Sequence, residues 1–306
     1  MIRWNRAKVA ARNNQPLKGE VLVTRIAVIT HRQSEATRDT FMAVLELCRE
    51  LSIEAVITQR EVEKNSLKDA GSYGVVVPLL AAEQVDLCVA LGGDGTILRA
   101  FNRFPGMQTP VLGVNFGRVG FLSAIGPEEI PVRLRSILEG DYKIRDLSLI
   151  QVDYGDGKAL ALNDVVVHKP DGGSVVRLAY SVGGVQFGPL SCDGLVLSTP
   201  AGSTAYNLSN GGPLVSPALE ALVFTAIAPH TLQFRAMVIG PDETVTIRND
   251  TFGAAAAVYL DGRGGGHLET GGSLSLSLAP QKAHLVRLPG FDFYRTLHDR
   301  FIHPPN

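Results

Sequence analysis

The sequence predicts two folded parts: an α/β N-terminal domain with an open, mostly parallel sheet, and a β-rich C-terminal domain. The last segment is expected to return to the first domain. Three observations carry this reading. Strand and helix patterns alternate up to about residue 147. Short strand candidates then crowd together with few helices among them, and a helical pattern reappears only in F-Y-R-T-L-H-D-R-F near the end. Alternation implies parallel strands joined by crossovers, whereas crowded strands between turn residues imply a β-rich unit. The expected boundaries are a basic tail over 1–24, an α/β domain over 25–147 joined by 289–306, and a β-rich domain over 148–288.

In chain order, R-I-A-V-I-T-H reads as a strand ending near Thr30. Phe41, Val44, Leu45 and Cys48 then fall at i, i+3, i+4 and i+7, the spacing of one helix face. I-E-A-V-I-T reads as the second strand, completing a βαβ unit with a right-handed crossover. V-D-L-C-V-A-L is the third expected strand and T-I-L-R-A-F-N-R-F the helix after it. T-P-V-L-G-V-N is the fourth, and P-E-E-I-P-V-R-L-R-S-I-L-E-G a further helix.

After Leu147 the strand candidates are L-I-Q-V-D-Y, A-L-N-D-V-V-V-H, V-R-L-A-Y-S-V, G-L-V-L-S-T and L-V-F-T-A-I. T-V-T-I-R, A-A-V-Y-L-D, L-S-L-S-L and A-H-L-V-R-L complete the set.

The 306 residues suffice for one large or two moderate cores. Lys plus Arg numbers 29 against 30 for Asp plus Glu, so charge gives no reason to expect a nucleic acid or an anionic membrane as partner. No apolar run approaches the ~18 residues of a membrane span. The basic N-terminus lacks the apolar core of a secretory signal and reads as a loose tail or an over-called start. Cys48, Cys88 and Cys192 are odd in number and widely spaced, which predicts reduced thiols and a cytoplasmic location. The seven histidines show no ligand spacing, so no metal-binding residue is assigned.

Three stretches carry chemistry. In V-A-L-G-G-D-G-T-I-L a buried strand breaks into Gly92, Gly93, Asp94 and Gly95 before a helix. Ligands of open α/β sheets bind at such strand ends, and the backbone amides of a glycine turn at a helix N-terminus suit an anion. There is no G-K-[ST], and Leu98 replaces the last glycine of G-x-G-x-x-G, so neither familiar phosphate loop is present. The plain alternative is a turn whose Asp94 only caps the helix.

The second stretch, residues 192 to 213, sets Ser198, Thr199, Ser203, Thr204, Tyr206 and Ser209 among small residues. Hydroxyls suit phosphate or ribose, and Tyr206 offers a stacking face; a polar surface loop is the alternative. No G-x-S-x-G elbow marks a serine hydrolase. The third, L-N-D-V-V-V, pairs the Asn163 amide with the Asp164 carboxylate, a set that can bind vicinal hydroxyls or merely serve a turn.

Together these stretches resemble the NAD kinase family of the bacterial type. L-G-G-D-G-T-I-L-R-A, V-L-G-V-N-F-G-R-V-G-F-L, A-L-N-D-V-V-V and D-G-L-V-L-S-T-P-A-G-S-T-A-Y-N-L-S-N-G-G-P-L-V-S-P carry the likeness. A-P-H-T-L-Q-F-R and Y-L-D-G extend it, in the family's order, from about residue 25 to the end. G-G-D-G alone is shared with diacylglycerol-type lipid kinases and phosphofructokinases; the joint set is specific.

The resemblance implies transfer of the γ-phosphoryl group of ATP, with a divalent metal such as Mg²⁺, to the adenosine 2′-hydroxyl of NAD. It makes Asp94 the catalytic general base and gives Gly92, Gly93, Gly95 and Thr96 to the ATP phosphates. It places Asp94, Gly95, Arg99 and Phe121 in the NAD site, Phe121 near the adenine, with Asn163 and Asp164 on the ribose. Asp193 and the run Thr204, Ala205, Tyr206, Asn207, Leu208 and Ser209 complete that site.

A homodimer or homotetramer is implied as well. The sequence departs from the family at Ala201, where many relatives carry Thr or Ser, and at Arg263, where several carry Gln. The competing readings are a lipid kinase of the same superfamily and a non-catalytic NAD-binding sensor. Balanced charge without a basic amphipathic helix counts against the first, and the intact Asp94 motif against the second.

Overall fold

The computed structural model describes residues 23–301 apart from 34, 79, 81–83, 118–119, 171–174, 289 and 291. Most of the expected basic tail, Arg118 and Val119 of the R-V-G-F-L stretch, and the chain beyond 301 lie outside the described residues.

The first part is built on β1 (Arg25–Thr30), β2 (Glu54–Thr58), β3 (Gly74–Val77), β4 (Leu87–Leu91) and β5 (Val111–Val114). All pair in parallel, in the order β5-β4-β1-β2-β3. V-D-L-C-V-A-L is therefore the fourth strand, not the third. The missed β3 is four residues long and only partly buried at the sheet's edge, so it shows no buried run.

Helices α1 (Arg38–Glu50), α2 (Gln59–Lys64) and α3 (Asp94–Phe101) lie between these strands, and α4 (Ile130–Leu138) follows β5. The predicted stripe Phe41, Val44, Leu45 and Cys48 is fully buried. With Leu134 and Leu138 of α4 it covers the Ile26 and Val28 face of the sheet. Ile97 and Phe101 of α3 cover the opposite face, presented by Ala27 and Ile29.

The second part contains β6 (Lys143–Asp153), β7 (Lys158–Ala161), β8 (Asp164–His168), β9 (Val176–Val182), β10 (Val185–Cys192) and β11 (Gly194–Ser198). A short α5 (Tyr206–Ser209) precedes β12 (Leu222–Ile227), β13 (Met237–Ile239), β14 (Val245–Asn249), β15 (Ala256–Leu260), β16 (Arg263–Leu268) and β17 (Ser273–Arg287). Six strands form an antiparallel sheet in the order β13-β12-β11-β8-β15-β16.

The remaining strands extend the parallel sheet through β17. This strand pairs antiparallel with β6 and β14, and parallel with β5 at Leu285. L-S-L-S-L and A-H-L-V-R-L, expected as separate strands, are its two halves. The register shifts between Leu278 and Lys282, where Pro280 has no N–H to give to the ladder.

The two sheets pack face to face. Val165, Val167, Leu195 and Leu197 of one meet Leu178, Val245, Ile247 and Leu276 of the other. Val166 and Val196, at alternate positions, point to the outer face of the six-stranded sheet. The chain closes with α6 (Phe293–Phe301), which returns to the first part. Phe293 and Phe301 pack on Phe121 with ring centroids 5.7 and 6.4 Å away.

Candidate active site

At the carboxyl end of β4 the chain turns through Gly92 and Gly93 into α3. Gly92 has φ +148°, and a Cβ there would stand 2.4 Å from Thr96 Oγ1, so the turn admits no side chain. At Gly93 and Gly95 an added Cβ would meet nothing within 4 Å, so this side of the turn is open. The Thr96 N–H donates to Gly93 O at 2.8 Å, and the two amides before it have no acceptor within the helix, the general condition for anion binding at a helix N-terminus.

Asp94 does not cap its helix. Its Oδ2 accepts from the Phe121 N–H at 2.9 Å and its Oδ1 from the Leu122 N–H at 3.1 Å. Gly120 lets this loop approach: a Cβ there would lie 2.0 Å from Asp94 Oδ1. Behind the loop, the buried Arg287 guanidinium donates to Ser123 O at 2.6 Å and to Phe121 O. Burial lowers the Arg287 pKa to about 10, while Asp94 favours its charged form.

A cavity of about 520 Å³ opens one turn along α3, walled on that side by Leu98. Its floor is the outer face of the six-stranded sheet. Asp164, Val166 and His168 alternate along β8, and Tyr259 joins them from β15. Asn163 lies at one end, Ala205 and Tyr206 form a rim, and the Asp261–Gly262 turn closes the side. Tyr206 is 40% exposed, so its ring is available for stacking.

Asp261 organises this end. It and Gly262 join β15 to β16 with φ of +50° and +70°, as a two-residue hairpin needs. Its Oδ1 accepts from the N–H groups of Leu162, Asn163 and Asp164 at 3.0, 2.7 and 3.3 Å. Its Oδ2 accepts from Asn102 Nδ2 at 3.3 Å. Burial, with the Asp261 charge added, raises the Asp164 carboxyl to about 7. The buried Asn163 Oδ1 has no hydrogen-bond partner among the described residues, leaving an acceptor beside the cavity.

The hydroxyl-rich stretch is mostly spent on itself. Thr199 Oγ1 donates to Leu162 O at 2.7 Å, Ser198 Oγ to Thr199 O at 2.8 Å and Ser203 Oγ to Pro200 O at 2.7 Å. Thr204 Oγ1 donates to Ala201 O at 3.2 Å. The buried Asn207 amide donates to Ser203 O and Pro213 O, both at 3.1 Å, and accepts from Thr225 Oγ1 at 2.7 Å. Its side chain holds the loop's shape, and only Ala205 and Tyr206 of the run Thr204–Ser209 reach the cavity.

The structure thus gathers Asn163, Asp164, Ala205 and Tyr206 around one cavity, with Asp94 on the helix that walls it. Other predicted residues stand elsewhere. Phe121 is buried under α6, with the Arg300 guanidinium 5.1 Å from its ring centre. Asp193 pairs with Lys169 at 2.8 Å, Arg99 turns to Thr30 and Thr96, and neither lines the cavity. Thr96 is buried, its hydroxyl accepting from Arg99 at 3.2 Å.

Sequence reasoning did not select Leu98, Val166, His168, Tyr259, Asp261 or Gly262 as lining residues. The alternation of Asp164, Val166 and His168, and the D-G hairpin signal, were the available clues. Arg263 donates to Asn102 Oδ1 at 2.6 Å and lines a second cavity of about 430 Å³ on the far side of the D-G turn. Among the described residues no three His, Cys, Asp or Glu converge as a metal cage, and no helix is long and apolar enough to cross a membrane.

Residues 21–142 match the family model of the ATP-NAD kinase N-terminal domain, and residues 162–288 that of the ATP-NAD kinase C-terminal domain. An NAD kinase of Gemmatimonas aurantiaca is 39% identical over 222 residues, covering 71% of this chain and 77% of that protein. One from Natranaerobius thermophilus is 30% identical over 280 residues, covering 90% and 96%.

Among solved structures, an NAD kinase from Archaeoglobus fulgidus in complex with ATP superposes with a TM-score of 0.71 at 26% identity. It covers 90% of this chain and 98% of that one. Yeast NADH kinase complexed with NADH reaches 0.81 at 21% identity, covering 93% and 89%, which shows a common fold.

Proposed function

The chain belongs to the ATP-NAD kinase family, and from that premise we propose how it works: the γ-phosphoryl group of ATP passes to the adenosine 2′-hydroxyl of NAD. The observation that carries this reading is the placement of Asp94. It opens the helix whose next turn, at Leu98, walls the cavity containing Asn163 and Asp164. A nucleotide ribose in that cavity finds an unused acceptor at Asn163 Oδ1, a carboxyl at Asp164 and a stacking face at Tyr206.

In this reaction the 2′-oxygen forms a bond to the γ-phosphorus. The bond from that phosphorus to the bridging oxygen breaks, its electron pair leaving on ADP. Asp94 takes the hydroxyl proton, an effect worth ~10²–10⁴-fold in rate. Its carboxylate is aimed by the Phe121 and Leu122 amides, so it is oriented before substrate arrives. The open space beside Gly93 and Gly95 lets the phosphate being transferred approach the backbone at the start of α3.

Among the described residues no cage of His, Cys, Asp or Glu is present, a donor set that fits a divalent cation arriving on the nucleotide and not one resident on the protein. With Asp94 kept as the base, such an ion would be held chiefly by the phosphate oxygens that carry it. When bound, the ion neutralises charge on the transferring phosphoryl group. We place the enzyme in the cytosol, a setting supported by the buried, free state of its three cysteines. Homodimer or homotetramer formation is inferred from the family likeness.

The test is NADP formation from NAD, ATP and Mg²⁺ by the purified protein, with Asp94→Asn in parallel. The wild type is expected to make NADP, and the variant to lose at least ~100-fold in kcat. NAD binding without turnover from any phosphoryl donor would overturn the kinase reading and favour a sensor.

A further inference from the structure

The peptide unit between Phe121 and Leu122 is engaged at both ends. Its N–H, carried by Leu122, donates to Asp94 Oδ1 at 3.1 Å, and its carbonyl, carried by Phe121, accepts from Arg287 Nη2. The Phe121 N–H donates to Asp94 Oδ2 at 2.9 Å, and Arg287 Nη1 donates to Ser123 O at 2.6 Å. A cation and a carboxylate are therefore joined across one peptide plane, the guanidinium on its carbonyl side and Asp94 on its amide side.

That placement fixes the direction of the peptide dipole. Positive charge at the oxygen end and negative charge at the hydrogen end favour the same polarisation, so each bond strengthens the other. Because the amide is planar, turning it away from Arg287 would also swing the Leu122 N–H away from Asp94.

Arg287 is anchored for this task. It is the last residue of β17 and stands opposite Lys143 of β6; two residues before it, Leu285 pairs with Val111 of β5. Its side chain is buried, and a buried guanidinium is costly unless its donors are used. The carbonyls of Phe121 and Ser123 stand two residues apart on one loop. A planar fork answers both, whereas a lysine ammonium is a single point charge on a flexible stem.

The rest of the loop is held as well. The Gly120 N–H donates to Ser123 Oγ at 3.1 Å, and the Ala124 N–H to Gly113 O of β5 at 2.9 Å. Phe293 and Phe301 of α6 pack on the Phe121 ring.

We propose that Arg287 is a positioning residue for phosphoryl transfer: from the end of β17 it holds and polarises the Phe121–Leu122 peptide, so that Asp94 is aimed before substrate arrives. This rests on the reading of Asp94 as the base.

The test uses the full-length protein and the variants Arg287→Met and Arg287→Lys, each made in the wild type and in the Asp94→Asn background. In the wild-type background Arg287→Met is expected to lower kcat at least about tenfold, with KM for ATP and for NAD within about twofold. Arg287→Lys, which keeps the charge without the fork, should recover part of that loss. In the Asp94→Asn background the Met substitution should cost less than about twofold, because its effect passes through a carboxylate already removed. A readout free of turnover accompanies these: the Leu122 amide proton resonance, in isotope-labelled protein, should shift in the same direction in Arg287→Met as in Asp94→Asn.

An equal loss of kcat in the two backgrounds overturns the proposal and leaves Arg287 a pin of the fold. So does an Arg287→Met variant with the kcat of the wild type, or a Leu122 resonance that does not move. If Arg287→Met lacks a cooperative melting transition, the same comparisons are made with Arg287→Lys, and the same results overturn the proposal. A wild type that makes no NADP, with the Leu122 resonance still moved by both substitutions, rejects the kinase reading and keeps the link from Arg287 to Asp94.

Discussion

The glycine turn after β4 and the hydroxyl-rich loop after β11 look equally ready for a ligand as sequences, yet they are built in opposite ways. In the loop, Ser198, Thr199, Ser203 and Asn207 are buried and bonded to neighbouring backbone, so the polar atoms make a rigid wall. In the turn, the Gly92 N–H is tied to Val114 O at 2.8 Å, Gly93 and Gly95 border open space, and Asp94 is clamped from across the site. Here the run of hydroxyls makes a shaped wall, and the run of glycines makes the place where a ligand can come close to the backbone.

The sharpest way to break this contrast is to crowd the clamp. Gly120→Ala drives a methyl into the Asp94 carboxylate, and a misplacement of that kind is expected to lower kcat by about 100-fold. The melting temperature should move little, because the displaced group is not in a core. Unchanged turnover would mean that the carboxylate's aim does not matter.

On the loop side, Asn207→Ala removes one amide that answers two carbonyls and the Thr225 hydroxyl. Leaving them unpaired and buried should cost about 3 kcal/mol, read by urea denaturation. A stability loss under 1 kcal/mol would show that the loop does not depend on this amide.

A smaller effect tests the cavity between them. Burial raises the Asp164 pKa to about 7, well above that of an unfolded aspartate, so the native state holds a proton that the unfolded chain has released. Its contribution to stability is full below pH ~4 and is lost as pH rises through 7. From pH 5 to pH 8 the wild type should lose about 2 kcal/mol relative to Asp164→Asn. Parallel curves for the two proteins across that range would show that Asp164 titrates normally.

Much of the fold was legible because burial and period agree. The stripe from Phe41 to Cys48 and the strands flanking Asp94 announce themselves by apolar spacing. What escaped did so for local reasons. R-G-G-G-H-L of β16 reads as a turn, V-Q-F-G-P-L-S-C of β10 is interrupted by Gly188-Pro189 where its register slips, and Pro280 splits β17 on paper only. In the site, Asn163, Asp164 and Tyr206 were legible from side-chain chemistry. Val166 and Tyr259 were not, because an apolar residue on a strand gives no sign of which sheet face will be left uncovered.

One feature of the architecture bears on how the enzyme shuts water out. β17 is 15 residues long, about 50 Å at the usual rise; it pairs with β6 over most of its length, with β14 at its start and with β5 of the first part at Leu285. A molecule that closes by swinging one half against the other needs a slack crossing to bend at. Here the crossing is a strand laddered to β6, and bending it would break that ladder and the Leu285 pairing with β5. Gating must therefore fall to pieces smaller than a domain, and amide exchange should find the two halves protected as one unit, with the rim of the cavity opening first.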